Sequence, residues 1–449
     1  MARIFGTDGA RGIANTELSC ELAMDIGRAA ACVLAKTAHH KPKFVIGKDT
    51  RISSDMLESA LTAGLISVGA DVLILSTVPT PAVAYLVKHY SADAGIMISA
   101  SHNPAEYNGI KLFDGNGYKL PDEIENEIEA LILDNREAIP AKIGGEIGRV
   151  ERCKTAVKDY TDFVASTVGD MDLSGMRVLF DCSNGSASAT ARELFARFGA
   201  ECEFISDTSD GININLNCGS THMQRLKEMT KAGKYDVGFA FDGDADRCLA
   251  VDSDGELIDG DKIIAIFSKF LKEQGRLKKD TAVVTVMTNI GFKKFAVENG
   301  INVALTKVGD RYVLEEMLKE GYNIGGEQSG HIIFLDYATT GDGQMTAIWL
   351  LKILSETKKT AKELASVMNV FPQVLVNVRV ENSKKGIIDT DAEIKAEIDR
   401  CTDILGTNGR VLIRASGTEP LVRVMLEGQN IDEIQQMANT IADKIKEKL

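Results

Sequence analysis

Three aspartates alternate with small residues directly after Val237–Phe241, an apolar run with the composition of a buried strand. They are Asp242, Asp244 and Asp246. Carboxylates at this spacing can converge on one hard cation, and without a cation we expect them to repel one another. An EF-hand is excluded, because Arg247 and Ser253 stand where that loop requires glycine and glutamate. The pattern therefore predicts a site for one Mg²⁺ ion per chain.

A serine and a histidine follow a second apolar run. Gly95–Ile98 leads into the hexapeptide SASHNP at 99–104, whose proline stops the strand from continuing. Ligands of open α/β sheets bind beyond the carboxyl ends of strands, so Ser101 is a candidate nucleophile once a base or a metal activates it. A plain turn, with His102 as a structural hydrogen-bonding residue, accounts for the motif equally well.

Glycines flank three short polar side chains near residue 328. Glu327, Ser329 and His331 suit the hydroxyl or amine groups of a sugar, although a plain turn is the commoner source of such a composition. Arg11 lies between glycines near the start of the sequence and can reach a phosphate, and a turn again explains it equally well. Both stretches are candidate ligand-binding loops.

A local group of arginines, hydroxyls and a glycine stands out near the end of an otherwise acidic sequence. Its members are Arg414, Ser416, Gly417, Thr418 and Arg423. Backbone N–H groups around a glycine, together with hydroxyl and guanidinium donors, can form a cradle for a phosphate. The Walker pattern is missing from this stretch, so no P-loop is implied.

The elements that carry these loops alternate short β-branched runs with amphipathic runs of helical period, which predicts α/β construction. Three strand–helix–strand crossovers are expected, each with a glycine after its helix, at 44–75, 178–205 and 283–305. Beyond residue 372 the order of elements becomes that of a small α+β domain. We therefore predict four domains, at 1–150, 151–254, 255–368 and 372–449.

Composition excludes several classes of partner. The 449 residues include 51 Lys+Arg and 65 Asp+Glu, a net charge of −14 that repels the phosphate backbone of nucleic acids. The apolar runs are far shorter than the ~20 residues of a membrane span. The eight cysteines include no Cys-x-x-Cys pair, which favours reduced thiols and a cytoplasmic location over a disulfide frame or a zinc site.

Together, the serine loop (99–104), the aspartate loop (242–247), the sugar loop (326–331) and the phosphate loop (414–420) resemble the signature loops of the α-D-phosphohexomutases. The loops follow the order of that family, about one in each predicted domain, so the resemblance covers the whole chain. It implies three consecutive mixed-sheet α/β domains of similar topology and a smaller α+β domain, arranged around a central cleft. Residues 326–333 are similar to those of bacterial members that act on glucosamine phosphate.

The resemblance implies that phosphorylated Ser101 donates its phosphoryl group to glucosamine 6-phosphate. The resulting glucosamine 1,6-bisphosphate would reorient without leaving and return its other phosphate to Ser101, giving glucosamine 1-phosphate for the synthesis of UDP-N-acetylglucosamine and cell wall. Ser101 and the three aspartates would hold Mg²⁺, while Arg11 and Arg247 would neutralise phosphoryl charge. Lys111 is the first candidate for moving the proton and His331 the second.

The same resemblance assigns the remaining loops to the substrate. Glu327 and Ser329 would bind the sugar, and the phosphate loop would hold the phosphate that is not reacting. A phosphosugar is the only expected partner class, and a homodimer is compatible with this interpretation. The alternatives are a member acting on glucose or mannose phosphates, a phosphatase with Asp242 as nucleophile, and a non-catalytic sugar-phosphate sensor. Asp246 disfavours the phosphatase, whose pattern requires Thr or Val at that position.

Overall fold

The computed structural model describes residues 4–6, 8–34, 36, 40–388, 390–415 and 420–449. By its internal contacts the chain divides into two units. The first unit comprises Met1–Met287 and Ile301–Val367, and the second comprises Thr288–Gly300 and Met368–Leu449. Three mixed β-sheets with their helices form the first unit, and a smaller antiparallel sheet with its helices lies in the second. The predicted fold class is thereby confirmed.

The first sheet has six strands in the order β1-β5-β4-β2-β3-β6. The strands are β1 (Ala10–Ile13), β2 (Lys43–Lys48), β3 (Asp71–Thr77), β4 (Ala94–Ile98), β5 (Tyr107–Asp114) and β6 (Val150–Arg152). The helices are α1 (Cys20–Leu34), α2 (Ile52–Ser67), α3 (Thr80–His89) and α4 (Asp122–Leu133). Every residue of β4 is buried, as expected of a strand covered on both faces.

The second sheet has five strands in the order β11-β10-β9-β7-β8. The strands are β7 (Arg177–Asp181), β8 (Glu201–Ile205), β9 (Val237–Phe241), β10 (Cys248–Asp252) and β11 (Leu257–Ile258). The helices are α5 (Ala156–Ser166), α6 (Ala191–Phe195) and α7 (Gln224–Gly233). Strand β9, which leads to the aspartate loop, is buried throughout like β4.

The third sheet has the order β13-β12-β14-β15. The strands are β12 (Thr281–Thr285), β13 (Asn302–Thr306), β14 (Ile324–Gly326) and β15 (Ile332–Phe334). The helices are α8 (Gly260–Glu273), α10 (Asp310–Glu320), α11 (Gly343–Thr357) and α12 (Ala361–Ala365). Helix α9 (Ile290–Glu298) connects β12 to β13 along the chain, although its contacts assign it to the second unit.

The three sheets share one local topology. In each, a central strand (β2, β7 or β12) pairs in parallel with two neighbours. One of those neighbours then forms an antiparallel hairpin with the next strand along the chain. These hairpins are β4–β5, β9–β10 and β14–β15. The hairpin connections are the serine loop, the aspartate loop and the sugar loop, so all three loops occupy equivalent positions in their sheets.

The second unit contains strands β16 (Gln373–Arg379), β17 (Arg410–Ala415) and β18 (Leu421–Glu427), with β18 in the middle and antiparallel to both neighbours. Helices α13 (Ala392–Leu405) and α14 (Ile431–Lys448) complete it. Val422, Val424 and Leu426 of β18 pack with apolar residues of α14 in a common core. In the described part of the chain, no helix is both long and apolar enough to cross a membrane.

A buried tyrosine joins helix α5 to the start of helix α11. The hydroxyl of Tyr160 donates to Asp342 and lies 2.9 Å from both carboxylate oxygens. Asp342 also accepts the backbone N–H of Met345 and so caps α11. Burial raises the pKa of Asp342 to about 6, because the hydrogen bonds from Met345 and Tyr160 only partly offset the loss of water.

We expect Asp342→Asn to stabilise the chain at neutral pH. Between about pH 4 and 6 the folded chain keeps a proton on Asp342 that the unfolded chain releases, so Asp342 costs stability as pH rises through this window. Asparagine keeps the helix cap and removes the titration. Denaturation curves should show a gain of about 1–3 kcal/mol in unfolding free energy near pH 7.5 and none near pH 4.

Asp259→Asn is the matched control, because Asp259 caps helix α8 through the N–H of Lys262 but is only half-buried. It should give a smaller gain near pH 7.5 than Asp342→Asn, because its carboxylate is less buried. An equal gain for both variants, or a gain for Asp342→Asn at both pH values, would contradict the assignment.

Candidate active site

The serine loop and the aspartate loop meet directly. Ser101 follows β4 with a left-handed backbone (φ 53°) and is 1% exposed. Its Oγ donates to Oδ2 of Asp242, the first residue after β9, at 2.6 Å. Two residues 141 positions apart in sequence are therefore in contact because their strands end at equivalent places in neighbouring sheets.

The three predicted aspartates form one buried cluster. One carboxylate oxygen from each of Asp242, Asp244 and Asp246 lies within 4.8 Å of the others, and the three residues are at most 3% exposed. Oδ1 of Asp244 and Oδ1 of Asp246 have no hydrogen-bond partner among the described residues. Such oxygens suit a hard divalent cation, so the residues present fit the predicted metal.

Lys111, from the middle of β5, places a positive charge inside this cluster. Its Nζ lies 2.8 Å from Asp244 Oδ2 and 3.5 Å from Asp246 Oδ2. Asp244 also accepts a hydrogen bond of 2.5 Å from the hydroxyl of Thr80, which lies at the start of helix α3. The expectation that the aspartates repel one another without a cation is therefore wrong for Asp244, whose carboxylate is paired.

The pKa values within the cluster move in opposite directions. Burial, and then the nearby charges of Asp246 and Asp244, raise the pKa of Asp242 well above its usual range. Burial acts the same way on Asp244, but Lys111 and the hydrogen bonds to that carboxylate lower its pKa below the usual range. Burial alone would lower the pKa of Lys111, yet the surrounding carboxylates raise it, so Lys111 carries its proton at neutral pH.

Arg247 closes the aspartate loop. Its backbone N–H donates to Asp242 Oδ1 at 3.2 Å, and its guanidinium donates to Nδ1 of His102 at 3.1 Å. Burial, together with the charges of Arg247 and Arg11, lowers the pKa of His102 to about 4. His102 is therefore neutral at physiological pH, so its Nδ1 can accept the hydrogen bond that holds the guanidinium of Arg247 at the site.

A second chain of charges adjoins the first. Asp8 pairs with Arg11 and Lys119, and it lies 3.4 Å from Lys111. Lys119 pairs in turn with Asp310, which lies at the start of α10 and 3.5 Å from Nε2 of His331. Sequence reasoning found Arg11 and His331 but missed Asp8, Lys119 and Asp310. Only Asp8 offered a local signal, because it lies in the same glycine-rich stretch as Arg11.

The sugar loop touches the aspartate loop through its histidine. His331 pairs with Arg247 in an isolated antiparallel bridge, and its Nε2 accepts the N–H of Gly341 at 3.2 Å. Nδ1 of His331 then carries the ring proton and has no hydrogen-bond partner among the described residues. Glu327 is half-buried and accepts the N–H of Gly309 at 3.0 Å, whereas Ser329 is exposed.

The second unit holds part of the predicted phosphate loop. Arg414 and Arg423 face each other across the antiparallel strands β17 and β18, so their side chains share one face of that sheet. Both are partly exposed. Ser416, Gly417 and Thr418 lie outside the described residues.

We expect two isosteric changes in the aspartate cluster to have different effects on stability in EDTA. Asp244→Asn leaves the buried Lys111 without its nearest partner and should lower the unfolding free energy by about 1–3 kcal/mol. Asp242→Asn removes a charge that burial and its neighbours disfavour, so it should leave stability unchanged or raised.

Urea denaturation of the two variants, each beside the unchanged chain, measures this difference. Each variant serves as the control for the other, since both remove one carboxylate charge from the same cluster. A gain of stability in both variants would show that mutual repulsion, and not the ion pair with Lys111, dominates the cluster, and a loss in both would contradict the expectation for Asp242.

Family models of known proteins match the chain in the order of the predicted domains. Models of the phosphoglucomutase/phosphomannomutase family match residues 2–138 (alpha/beta/alpha domain I), 158–255 (domain II), 259–371 (domain III) and 375–444 (C-terminal domain). The phosphoglucosamine mutase of Clostridium perfringens (strain SM101 / Type A) is 57% identical over 448 residues, covering 100% of both chains.

Solved structures agree with the fold. A phosphoglucomutase/phosphomannomutase family protein from Burkholderia thailandensis is 26% identical with a TM-score of 0.81, over 98% of this chain and 97% of that one. An N-acetylphosphoglucosamine mutase of Aspergillus fumigatus, in complex with GlcNAc-6P and magnesium, is 18% identical with a TM-score of 0.72, over 100% and 96%. The four domain matches cover most of the sequence, and the chain belongs to the phosphoglucomutase/phosphomannomutase family.

Proposed function

We propose that the chain interconverts glucosamine 6-phosphate and glucosamine 1-phosphate through phosphorylated Ser101 and a bound glucosamine 1,6-bisphosphate. The observation that carries the proposal is the 2.6 Å hydrogen bond between Ser101 and Asp242, which sets a nucleophilic oxygen against the buried aspartate cluster. The choice of an amino sugar is supported by the phosphoglucosamine mutase that is 57% identical over the full chain.

The reaction balances without a second substrate. The bond between phosphorus and Ser101 Oγ breaks while a sugar hydroxyl oxygen bonds to that phosphorus, and the proton that this hydroxyl gives up is balanced by one that Ser101 Oγ takes up. In the return step the other phosphate of the bisphosphate is transferred to Ser101 Oγ, which leaves a free hydroxyl where that phosphate had been. One phosphoryl group is thus on Ser101 at the start and at the end of each cycle.

The cluster supplies the charges that this transfer needs. Asp242, Asp244 and Asp246, with an oxygen of phosphorylated Ser101, would hold one Mg²⁺ ion, which contributes positive charge to the phosphoryl oxygens when bound. Arg247 lies at the same loop and adds a permanent positive charge. Arg11, paired with Asp8, is a second candidate for the same role.

Lys111 and His331 are the candidates for moving protons. Lys111 carries its proton among the carboxylates and is the first candidate. His331 offers an unpaired Nδ1–H and is the second candidate. Glu327 and Ser329 would contact the sugar, since they share the loop of His331.

Arg414 and Arg423 would hold the phosphate that is not reacting, together with Ser416, Gly417 and Thr418. The two side chains lie on one sheet face, where their guanidinium groups can donate charge-assisted hydrogen bonds to the same phosphate, which supports this role. The domain boundaries at about 150, 254 and 370, a cytoplasmic location and a homodimer stay predictions of the sequence.

We expect Ser101→Ala to lower mutase turnover by about 10⁴-fold or more, because a covalent nucleophile has no substitute. Ser59→Ala, an exposed serine of helix α2, is the control and should keep full turnover. Peptide mass analysis of the purified chain should find one phosphoryl group on Ser101. A phosphoryl group on Asp242 would indicate the phosphatase, and unmodified chain that also lacks turnover would indicate the sensor.

Substrate choice needs its own assay. Turnover of glucosamine, glucose and mannose 6-phosphates should be measured on the same preparation, with the amino sugar expected to give the highest kcat/KM. A preference for glucose or mannose 6-phosphate would assign the chain to the other branch of its family and leave the role of Ser101 unchanged.

We expect Arg414→Ala to raise KM and to lower kcat, since a charge-assisted phosphate contact of about 1.5–3 kcal/mol also positions the reacting end of the sugar. Steady-state kinetics with glucosamine 6-phosphate, beside peptide mass analysis of Ser101, measures both effects. Phosphorylation of Ser101 should persist. Arg400→Ala is the control, because Arg400 is an exposed arginine of the same unit that pairs with Glu397. Unchanged kinetics of Arg414→Ala would rule out the anchor role.

A further inference from the structure

Two carbonyl groups of the serine loop each accept hydrogen bonds from two different side chains. Nη2 of Arg51 donates to the carbonyl oxygens of Ser101 and Asn103, at 3.2 and 2.5 Å. Nδ2 of Asn215 donates to the same two oxygens, at 2.9 and 3.1 Å. Arg51 precedes helix α2 of the first sheet, whereas Asn215 lies between β8 and α7 of the second. The loop is therefore held from both sides.

Arg51 is itself fixed within the first sheet. It is 2% exposed, and its Nη1 pairs with the fully buried carboxylate of Asp49 at 2.7 Å. Asp49 also accepts the hydroxyl hydrogen of Ser99 at 2.6 Å, and the hydroxyl of Ser99 accepts the N–H of Ser101 at 3.0 Å. The carbonyl of Ser101 is thus connected to the buried ion pair of Arg51 and Asp49 through Arg51 itself, and the amide N–H of Ser101 is connected to it through Ser99.

Asn215 connects the serine loop to the aspartate loop. A Cβ atom on Gly243, between the first two aspartates, would lie only 2.5 Å from the carbonyl oxygen of Ser101 and 2.9 Å from Nδ2 of Asn215. The two loops are in direct backbone contact at this glycine, and the Asn215 amide fills the adjoining space. Asn215 is 6% exposed, and its orientation is set by the two carbonyl acceptors, which only the NH₂ group can satisfy.

We propose that Asn215, together with Arg51, is a positioning residue that keeps Ser101 in register with the aspartate loop during phosphoryl transfer. The proposal rests on the function proposed above. Ser101 has a left-handed backbone that is unfavourable for serine, so the surrounding contacts must maintain it. Phosphoryl transfer depends on the placement of the reacting atoms, and a displacement of about 1 Å can cost about 100-fold in rate.

The test uses Asn215→Asp, which keeps the shape of the side chain but removes both N–H donors and sets carboxylate oxygen against the two carbonyls. Each protein is isolated with phosphorylated Ser101 and mixed with glucosamine 6-phosphate for a single turnover. The rate per mole of phosphoserine should fall about 10- to 100-fold, while KM in the steady state changes by less than about twofold.

Asn217→Asp is the matched control. Asn217 lies two residues further along the same loop, has nearly the same backbone (φ 55° against 59° for Asn215) and is exposed. The substitution makes the same change of charge, so its single-turnover rate should equal that of the unchanged chain. In Asn215→Gly, the glycine suits the left-handed backbone and the side-chain amide is removed without adding a charge. The single-turnover rate of this variant should fall as it does in Asn215→Asp.

Hydrogen exchange of the peptide covering residues 99–107 supplies a readout that does not depend on turnover. Exchange should be faster in both Asn215 variants and unchanged in Asn217→Asp. A normal rate per phosphoserine in the Asn215 variants would overturn the proposal, even if their melting temperature falls. If the unchanged chain lacks both phosphoserine and turnover, the proposed function fails, and the exchange data still decide whether Asn215 fixes the loop.

Discussion

The ion pair between Lys111 and Asp244 is the interaction on which the rest of the site depends. Three buried carboxylates within 4.8 Å of one another are costly in a folded protein, and removal of one partner from a buried pair is costlier still. The positive charge of Lys111 offsets part of this negative charge. Burial and the remaining negative charge raise the pKa of Asp242. Neighbouring carboxylates with opposite pKa shifts are typical of sites that handle protons and charge.

Repetition of one topology brings the loops together. Each α/β sheet offers the same hairpin connection, so three loops with different chemistry occupy equivalent positions. The serine loop and the aspartate loop then meet through Ser101 and Asp242, while Arg247 and His331 join the aspartate loop to the sugar loop. A buried strand that precedes each of the first two loops gives them a rigid base, as a catalytic constellation requires.

The sequence predicted the parts of the structure that have local signals. The three crossovers, the strand before each loop and the aspartate cluster all follow from runs of adjacent residues. The hairpins were not predicted, because their connections (99–106, 242–247 and 327–331) are longer than the two-residue turns that mark a hairpin most clearly. Lys119 and Asp310 were missed for a different reason. They are 191 residues apart, and a single charged residue carries no sign of a partner from another sheet.

Charge balance reconciles an acidic chain with binding of a doubly negative phosphate group. The two linked networks contain the cations Arg11, Lys111, Lys119 and Arg247 and the anions Asp8, Asp242, Asp244, Asp246 and Asp310, so with all groups ionised the sum is 4 − 5 = −1. A divalent cation among the aspartates would change this sum to +1, and the phosphoryl group on Ser101, at about −1.5 to −2, would return it to roughly −1. The site thus stays close to neutral although the whole chain carries −14, and the potential there is set by the nearest charges, because more distant ones are screened within about 8–10 Å. The surface can stay acidic because recognition of the phosphate depends on a few cations at the site, of which Lys111 is buried and the others are partly buried, each paired with a carboxylate.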